Sequence, residues 1–198
     1  MEPADLAADP IEEFGRWLGA AITAGLPEPT AMVLATADAR GAPSARHVLL
    51  KGVDARGFRW FTNYESPKGR QLAENPRACL VFCWFAIGRQ VVVTGPARPL
   101  APEESDAYFA TRDRPSQLGA WASPQSEPVP DRAWLEHRVD EYEKRFVGPV
   151  PRPPHWGGYL LAPDTVEFWR SGPGRLHDRL RYARGSATSG WLVTRLAP

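Results

Sequence analysis

Short apolar or alternating segments, separated by turn-forming stretches, make up much of the chain from residue 31 onward, and this pattern restricts the fold more than any other feature. The first three segments are Ala31 to Ala37, Ser44 to Lys51 and Gly57 to Thr62. Between them lie Asp38-Ala-Arg-Gly41 and Asp54-Ala-Arg-Gly57, which combine residue types that favour tight turns. Because strands joined by tight turns pair antiparallel, the pattern predicts an antiparallel meander.

The strand pattern returns in two later parts of the chain. Ala78 to Ile87 and Gln90 to Thr94 flank Gly88-Arg89, which predicts a tight hairpin. The C-terminal part contributes four more predicted strands, which are Gly158 to Leu161, Thr165 to Trp169, Arg175 to Tyr182 and Trp191 to Leu196.

Helical periodicity is confined to segments that stand between these groups of strands. The first predicted helix runs from Ile11 to Ala24, with Asp9 as its cap, Pro10 in its first turn and Gly25 as its stop. Its predicted apolar stripe consists of Ile11, Phe14, Leu18, Ala21 and Ile22. Further helices are predicted over Ser66 to Glu74, Pro102 to Thr111 and Asp131 to Phe146.

Helices inserted between groups of strands, rather than alternating with single strands, indicate an α+β fold. We therefore predict an antiparallel barrel or sheet with peripheral helices, and not a doubly wound parallel sheet. The 198 residues suit one domain, spanning 1–198. Its predicted parts are a helix at about 10–25, barrel strands at about 31–100, a helical insert at about 102–147 and C-terminal strands at about 156–198.

Charge and composition exclude several classes of function. The net charge is +1, from 24 basic and 23 acidic residues, so no overall field attracts nucleic acid and any cationic site must be local. The longest apolar run, Cys79 to Ile87, is too short to span a bilayer, and the acidic N-terminus does not resemble a signal peptide. We expect a cytoplasmic protein without a membrane or nucleic-acid partner.

Metal and disulfide chemistry are not indicated either. Cys79 and Cys83 are four apart in one predicted strand, which suits neither a disulfide framework nor a zinc site. The histidines lack metal-ligand spacing, so we expect no metal. The chain also lacks a dinucleotide-binding glycine motif, a phosphate-binding P-loop and a hydrolase nucleophile elbow.

The segment from Arg175 to Arg181 is the most informative for chemistry. If it is extended, Arg175, His177, Arg179 and Arg181 share one face of a strand. Like charges on neighbouring positions repel, so such a face requires water, carboxylate partners or a bound anion. Both a solvated outer face and a site for an anionic or polar aromatic ligand remain open.

A second candidate anion site lies around Tyr108, Arg112 and Ser116. Tyr108 and Arg112 are four apart, so on a helix both can donate to one phosphate or carboxylate. Pro115 is expected to end that helix just before Ser116, which frees the hydroxyl and nearby amides for the same anion. The alternative is an ordinary exposed helix end.

The third candidate is Arg46-His-Val-Leu-Leu-Lys51. The chain has only three lysines, and one of them stands at the end of this apolar strand. Arg46 and Lys51 face opposite sides of a regular strand, so one ligand reaches both only across a strand end, a bulge or a subunit boundary. A surface strand end is the alternative.

Taken together and in order, these segments resemble the pyridoxamine 5′-phosphate oxidase family, which binds FMN in a split β-barrel. The resemblance runs from about Asp9 to Pro198. The motifs that carry it are Arg46-His-Val-Leu-Leu-Lys51, Phe61-Thr-Asn63 with Ser66-Pro-Lys68, Gly88-Arg-Gln90, Gln117-Leu-Gly-Ala-Trp121, Gln125-Ser126, Val166-Glu-Phe-Trp169, Arg175-Leu-His-Asp-Arg179 and Arg195-Leu-Ala-Pro198.

The resemblance implies a role for each matching residue. It implies that FMN is bound by Arg46, Lys51, Phe61, Thr62, Lys68, Gln90, Gln125, Ser126, Trp169 and Arg179. It implies that the substrate phosphate is bound by Lys51, Tyr108, Arg112 and Ser116. Arg175 and His177 would contact the pyridine ring as substrate-binding and catalytic residues. FMN would lie at the interface of a homodimer, which would explain how one ligand meets both Arg46 and Lys51.

The implied reaction is oxidation of pyridoxine or pyridoxamine 5′-phosphate to pyridoxal 5′-phosphate, with hydride transfer to N5 of FMN and reoxidation by O2 to H2O2. Two alternatives stay open. One is an FMN oxidase of secondary metabolism similar to the phenazine-biosynthesis relatives, and the other is a non-catalytic protein that binds flavin or pyridoxal phosphate. The phosphate-binding set of Lys51, Tyr108, Arg112 and Ser116 favours the vitamin B6 substrate over a ligand without phosphate.

Overall fold

A computed structural model describes residues 1–185 and 190–198, and antiparallel strands form its centre. Residues 186–189, which fall inside the region predicted as C-terminal strands, lie outside the described residues. The helices are α1 (Pro10–Thr23), α2 (Pro67–Glu74), α3 (Pro102–Ala110), α4 (Arg114–Ala122) and α5 (Arg132–Arg145). The strands are β1 (Ala31–Ala37), β2 (Pro43–Leu49), β3 (Gly52–Asp54), β4 (Gly57–Asn63), β5 (Arg77–Trp84), β6 (Arg89–Pro99), β7 (Trp156–Leu161), β8 (Thr165–Arg170), β9 (Asp178–Arg184) and β10 (Trp191–Arg195).

The long strand β6 joins two parts of the sheet. One part has the order β10-β9-β8-β6-β5-β1-β2, and β3, β4 and β7 form the other. Arg89 to Thr94 pairs with β8, whereas Ala97 to Pro99 pairs with β7. Between them lies Gly95, where an added Cβ would stand 2.0 Å from the carbonyl oxygen of Ala162. The missing side chain therefore lets the backbones approach closely where β6 changes partners.

This architecture confirms the predicted α+β fold, an antiparallel split barrel with peripheral helices. None of the helices in the described residues is long and apolar enough to span a bilayer.

Helix α1 closes one side of the barrel core. Asp9 caps it by accepting a hydrogen bond from the amide of Ile11 at 2.7 Å, and Gly25 follows it with a φ of +68°. Phe14 packs against Phe58 and Phe82, with ring centroids 4.9 and 4.8 Å away. These contacts place α1 over the buried face of the sheet.

The predicted stripe of α1 is partly wrong. Ile22 is 56% exposed, whereas Trp17, which the stripe omitted, is 5% exposed and packs edge-on against Phe168 at 5.1 Å. The guanidinium carbon of Arg89 lies 4.8 Å from the centroid of the Trp17 ring. The buried face of α1 therefore includes Trp17 in place of Ile22, because the large indole packs against Phe168 of β8.

The predicted meander of the first three strands is also wrong. β2 pairs with β1, but β4 pairs with β3 and β7 instead of β2. The chain breaks its strand at Leu50, which is buried, and crosses to the other part of the sheet. The turn at residues 54–57 joins β4 only to the three-residue strand β3, whereas β4 pairs with the distant β7 from Phe58 to Asn63.

Two further connections differ from the sequence prediction. The connection between β5 and β6 is a 3₁₀ turn over Phe85–Ile87 followed by Gly88, which is longer than the predicted two-residue hairpin. Pro115 does not end a helix but lies in the first turn of α4, a helix that the sequence analysis missed. Proline suits that position because the first amides of a helix have no partner within it.

The predicted strand from Arg175 to Tyr182 begins only at Asp178. Pro173–Arg175 forms a 3₁₀ turn, in which Gly174 and Arg175 have φ values of +60° and +62°. Arg175 and His177 therefore precede the strand and do not share its face with Arg179 and Arg181. The backbone of this turn is not extended, so the alternating charges of the sequence do not all lie on one strand face.

Helices α3, α4 and α5 pack around a second, smaller core beside the barrel. Its buried members are Phe109, Leu118, Val150 and Trp156. Since Trp156 begins β7, this core fixes the three helices against the sheet and forms one wall of the cleft described next.

Candidate active site

A cleft of about 360 Å³ opens between the barrel and the helical insert. Its lining comes from β2 and Lys51 after it, the end of β4, α2, α3 and the segment after it, and the start of β7. Its lining residues are Arg46, His47, Val48, Leu49, Lys51, Phe61, Thr62, Lys68, Tyr108, Arg112, Gln125 and Trp156.

Eight residues that the sequence analysis selected line this one cleft. They come from five separate segments of the chain and are Arg46, Lys51, Phe61, Thr62, Lys68, Tyr108, Arg112 and Gln125. The Arg46 and Lys51 motif contributes both of its cations to the same side, because β2 ends at Leu49 and Lys51 lies beyond the regular strand. The break in the strand therefore lets both cations reach one cleft.

Lys68 is the most buried cation of the cleft. It is 8% exposed, and its ammonium donates hydrogen bonds to Ser66 Oγ at 3.1 Å and Gln125 Oε1 at 2.6 Å. Burial, and the nearby charge of Arg46, lower the pKa of Lys68 to about 8. Both of its hydrogen-bond partners are uncharged, so its positive charge is oriented but not neutralised.

Arg112 stands over the indole of Trp156, with its guanidinium carbon 4.7 Å from the ring centroid. Burial lowers the pKa of Arg112, and its Nη1 is buried without a hydrogen-bond partner in the described part of the chain. A buried donor without a partner is costly unless a ligand accepts from it. Arg112 therefore indicates a binding position for an acceptor, and an anion suits it best.

Stacked aromatic rings form the wall next to Arg112. The rings of Phe61 and Tyr108 are 3.8 Å apart at 14°, and those of Phe61 and Trp156 are 5.5 Å apart at 12°. This wall gives the cleft a flat apolar surface beside its cations, which suits a planar aromatic ligand that carries a phosphate.

The charge of the cleft is unbalanced. Among the ion pairs formed by residues 1–185 and 190–198, none involves Arg46, Lys51, Lys68 or Arg112. A chain of net charge +1 therefore concentrates four unpaired cations around one cavity. Such a concentration attracts and holds anions.

Ser116 lies in a smaller cavity of about 220 Å³ that adjoins the cleft and shares Arg112, Gln125 and Trp156 with it. As the third residue of α4, Ser116 is in the first turn of that helix, where free amides favour an anion. All four cations line the larger cleft, and the smaller cavity adjoins it at Arg112.

Five predicted site residues are grouped elsewhere, and the described residues that line the cleft include none of them. Gln90, Trp169 and Arg179 are in register across β6, β8 and β9. The centroid of the His177 ring lies 4.7 Å from that of Trp169. Arg175, two residues before His177, is exposed. We call these residues, Gln90, Trp169, Arg175, His177 and Arg179, the β8–β9 group.

Contacts within the β8–β9 group differ from those in the cleft. Nδ1 of His177 accepts from the amide of Gly172 at 3.2 Å, which leaves Nε2 to carry the proton of a neutral ring. Arg179 forms an ion pair with Glu167 at 2.8 Å and also donates to the carbonyl of Ala197. The charge of Arg179 is therefore balanced, unlike the charges in the cleft.

Ser126 follows the lining residue Gln125 and is exposed, with a φ of +72°. The strained conformation turns the chain directly after Gln125. Gln125 Oε1 also accepts from Thr62 Oγ1 at 3.4 Å, so it links the end of β4 to Lys68.

Sequence reasoning did not select His47 and Trp156, which also line the cleft. His47 is part of the quoted strand motif, but nothing in its spacing separates it from its neighbours. Trp156 follows a proline-rich stretch without a motif of its own, and only the packing of the helical insert brings it to the site. Among the described residues, no group of His, Cys, Asp and Glu side chains could hold a metal ion.

Two family models match the chain. One, described as pyridoxamine 5′-phosphate oxidase, matches residues 18–146. The other, described as the pyridoxine 5′-phosphate oxidase C-terminal dimerisation region, matches residues 156–198. Together they span the cleft and the β8–β9 group.

Curated relatives agree over nearly the full length. A pyridoxine/pyridoxamine 5′-phosphate oxidase of Acidothermus cellulolyticus is 59% identical over 198 residues, which cover 98% of this chain and 88% of the relative. One of Paraburkholderia phymatum is 54% identical over 198 residues and covers 100% of this chain and 93% of its own length.

Solved structures share the fold. PhzG from Burkholderia lata 383, in complex with tetrahydrophenazine-1-carboxylic acid, has a TM-score of 0.93 and 36% identity, covering 100% of this chain and 98% of that one. A pyridoxamine 5′-phosphate oxidase-related, FMN binding protein from Nostoc punctiforme has a TM-score of 0.77 and 17% identity, covering 98% of this chain and 100% of that one. The second likeness supports the fold alone.

Proposed function

The chain belongs to the pyridoxamine 5′-phosphate oxidase family of FMN-dependent oxidoreductases, and from that premise we propose that it oxidises pyridoxine or pyridoxamine 5′-phosphate to pyridoxal 5′-phosphate with O2. The observation that carries the proposal is the cleft with four unpaired cations beside stacked aromatic rings. Both the cofactor and the substrate are planar aromatic molecules with a phosphate, so both suit this surface.

FMN fits the residues present. Arg46 and Lys68 lie close enough for the charge of Arg46 to lower the pKa of Lys68, and neither has a carboxylate partner in the described residues. A phosphate between them would relieve their repulsion. We assign the FMN phosphate to these two residues, and further FMN contacts to Lys51, Phe61, Thr62, Gln125 and Ser126.

The substrate phosphate is assigned to a second set of residues around Arg112. Arg112 has a buried donor without a partner in the described residues, and Tyr108 is on the preceding helix turn. Lys51 lines the same cleft, and Ser116 lies in the adjoining cavity that shares Arg112.

We assign the β8–β9 group to the site through a homodimer. The residues concerned match the family's dimerisation region, apart from Gln90, which is paired with Trp169 in the sheet. If the cleft of one protomer faces this group of its partner, Gln90, Trp169 and Arg179 contact FMN, while Arg175 and His177 contact the pyridine ring. Catalysis then requires two copies of the chain.

The chemistry that FMN supplies when bound is acceptance of a hydride from C4′ of the substrate, followed by its transfer with a proton to O2 as H2O2. The alcohol substrate yields pyridoxal 5′-phosphate directly, and the amine substrate also consumes water and releases ammonia. The protein positions the reacting carbon and excludes competing orientations. Arg175 and His177 orient the ring and stabilise charge that develops on it, without a general base.

The test combines a spectrum, a titration and a product assay. The purified protein should have the visible absorption of bound flavin, and pyridoxine 5′-phosphate added without O2 should bleach it. Readmitted O2 should restore the absorption and yield one H2O2 for each pyridoxal 5′-phosphate formed. Bound flavin that no vitamin B6 phosphate bleaches would contradict the proposed reaction.

The likeness to PhzG favours a second candidate, oxidation of a tricyclic substrate without phosphate. The relatives with 59% and 54% identity and the unpaired Arg112 favour the phosphorylated substrate instead. Bleaching by a tetrahydrophenazine carboxylic acid but not by pyridoxine 5′-phosphate would reverse this preference. A flavin that neither compound bleaches would indicate a binding protein. The single domain over residues 1–198 and the cytoplasmic location remain predictions.

A further inference from the structure

Two side-chain hydroxyls hold the guanidinium of Arg46, and the amide of Gln71 holds both hydroxyls. Its Nη1 donates to Thr36 Oγ1 at 2.7 Å, and its Nη2 donates to Ser44 Oγ at 2.5 Å. Both hydroxyls lie within hydrogen-bond distance of Gln71 Oε1, Thr36 at 2.5 Å and Ser44 at 2.7 Å. We call Thr36, Ser44 and Gln71 the Arg46 cage.

The direction of each hydrogen bond in the cage follows from the donors available. A guanidinium can only donate, so the oxygens of Thr36 and Ser44 must accept from Arg46. Their hydroxyl protons must then go to another acceptor, and the amide oxygen of Gln71 is within reach of both. Gln71 therefore fixes both hydroxyl rotors with their lone pairs toward Arg46, although it does not contact Arg46 itself.

The fold brings the cage together from three elements, β1, β2 and α2. Thr36 is in register with Ser44, and Leu34 with Arg46, so these side chains share one face of the β1–β2 pair. Helix α2 adds Gln71 from above that face and carries Lys68 three residues earlier, on neighbouring positions of the helix surface. Helix α2 thus supplies Lys68 to the cleft and, through Gln71, orients Arg46.

The absence of charge from the cage matters because Arg46 faces an anion site. A carboxylate in place of Gln71 could accept the same two hydroxyl protons, but it would offset the charge of Arg46 and weaken the attraction for an anion. The cage orients the guanidinium with an amide and two hydroxyls, and leaves its charge available. Arg46 also donates to the carbonyl oxygens of Leu34 and Ser44, which are likewise uncharged.

We propose that Gln71 is a positioning residue for the FMN phosphate, which acts through Thr36 and Ser44 on Arg46. This role rests on the proposed function, because FMN has its negative charge in the phosphate. Since Gln71 orients a donor for that group only, its loss should weaken binding of FMN but not of riboflavin, which has the same ring system without phosphate.

The experiment measures the dissociation constants of FMN and riboflavin for the flavin-stripped full-length chain by fluorescence titration. Gln71→Met keeps the length of the side chain and removes the acceptor. We expect it to weaken FMN binding by about tenfold and to leave riboflavin binding unchanged. In an Arg46→Ala background, the same substitution should have no further effect on FMN, because the group it orients is gone.

Glu74→Gln is the matched control, since it lies on the same helix outside the cage and should leave both constants unchanged. Thermal unfolding of each variant identifies any loss of folding. If Gln71→Met does not fold, Ser44→Ala removes one hydroxyl of the cage and should cause the same FMN-selective loss.

Three results would overturn the role of Gln71: an unchanged FMN constant, equal losses for FMN and riboflavin, or a full additional loss in the Arg46→Ala background. Failure of the wild-type chain to bind FMN would instead overturn the proposed function, and the role of Gln71 with it. The two failures are distinguishable because the first three results require a wild-type chain that binds FMN.

Discussion

At the scale of single residues, the cations of the cleft are held almost entirely by uncharged partners. Lys68 is bound by a hydroxyl and an amide, and Arg46 by hydroxyls and carbonyls. Neutral partners recover part of the hydration that each cation lost on burial, but they leave its charge in place. The site is therefore oriented for an anion before one binds, which reduces the reorganisation required on binding.

The lowered pKa of Lys68 predicts a pH dependence of cofactor binding. Its pKa is about 8 in the folded chain against an ordinary value of 10.5, so above about pH 8 the free protein loses a charge that we assign to the FMN phosphate. FMN affinity should fall between pH 7 and 9.5. Lys68→Arg should flatten this profile because arginine stays charged. A dissociation constant that does not change with pH in the wild type would contradict this account.

The lowered pKa of Lys68 also affects the free energy of unfolding, which should rise with pH where the affinity for FMN falls. Between about pH 8 and 10.5 the unfolded chain binds more protons at Lys68 than the folded chain. The contribution of Lys68 to stability therefore improves as pH rises through this window in the flavin-free protein. Thermal unfolding of the wild type and of Lys68→Met over this range measures the change: the stability of the wild type relative to the variant should rise toward the alkaline end.

Arg175 and His177 should affect turnover more than cofactor binding. Both are grouped away from the cations assigned to the two phosphates, and the amide of Gly172 donates to Nδ1 of His177. Arg175→Ala and His177→Ala should each reduce kcat/KM for pyridoxine 5′-phosphate by about a hundredfold, which is about 2.7 kcal/mol of transition-state stabilisation. Flavin absorption should remain. If both variants kept wild-type turnover and substrate affinity, the assignment of Arg175 and His177 to the substrate ring would be wrong.

At the scale of elements, α2 organises the cleft. Ser66 caps it, accepting from the amide of Gly69 at 3.4 Å and from Lys68, and donating to the carbonyl of Asn63 at 2.7 Å. From its first two turns, Lys68 extends into the cleft and Gln71 into the Arg46 cage. The position of this short helix against the end of β4 therefore controls two separate contacts of the site.

The close approach of α2 predicts a contrast between two glycines. An added Cβ at Gly69 would stand 2.0 Å from the carbonyl oxygen of Tyr64, whereas Gly15 in α1 is exposed and has nothing within 4 Å. Gly69→Ala should destabilise the protein by at least about 2 kcal/mol and weaken FMN binding. Gly15→Ala should stabilise it by about 0.5–1 kcal/mol. Denaturant unfolding compares the two, and equal effects would contradict the tight docking of α2.

At the scale of the whole molecule, the proposed site is divided between two surfaces of the chain. The cleft carries the unpaired cations, and the β8–β9 group carries the residues assigned to the rings of flavin and substrate. A homodimer that joins the cleft of one protomer to this group of the other would complete two equivalent sites. Neither surface would then be active in a monomer.

Complementation tests this division. Arg112→Ala damages the cleft and His177→Ala damages the β8–β9 group, so a mixed dimer of the two variants contains one intact site if each site uses both protomers. Random mixing after refolding should restore about a quarter of wild-type activity from two nearly inactive proteins. Mixing two Arg112→Ala samples is the control and should restore nothing. No recovery in the mixed sample would indicate that each site lies within one chain.

Local patterns were sufficient where neighbouring residues determine the structure. Asp9, Pro10 and Gly25 set the ends of α1, and β8 and β10 lie close to their predicted segments. The family resemblance of the motifs selected the site residues from Arg46 to Gln125, and eight of these residues line one cleft. Residue type and spacing predict caps and strand segments because these depend on contacts within a few positions.

The tertiary structure alone decided what depends on distant partners. β4 pairs with β7 rather than β2, Trp17 is buried in place of Ile22, and Trp156 forms a wall of the cleft. The Arg46 cage likewise joins α2 to a strand pair far from it in sequence. The free energy of these contacts comes from burying surfaces and satisfying donors that meet only after folding, so no local pattern encodes which partner each residue finds.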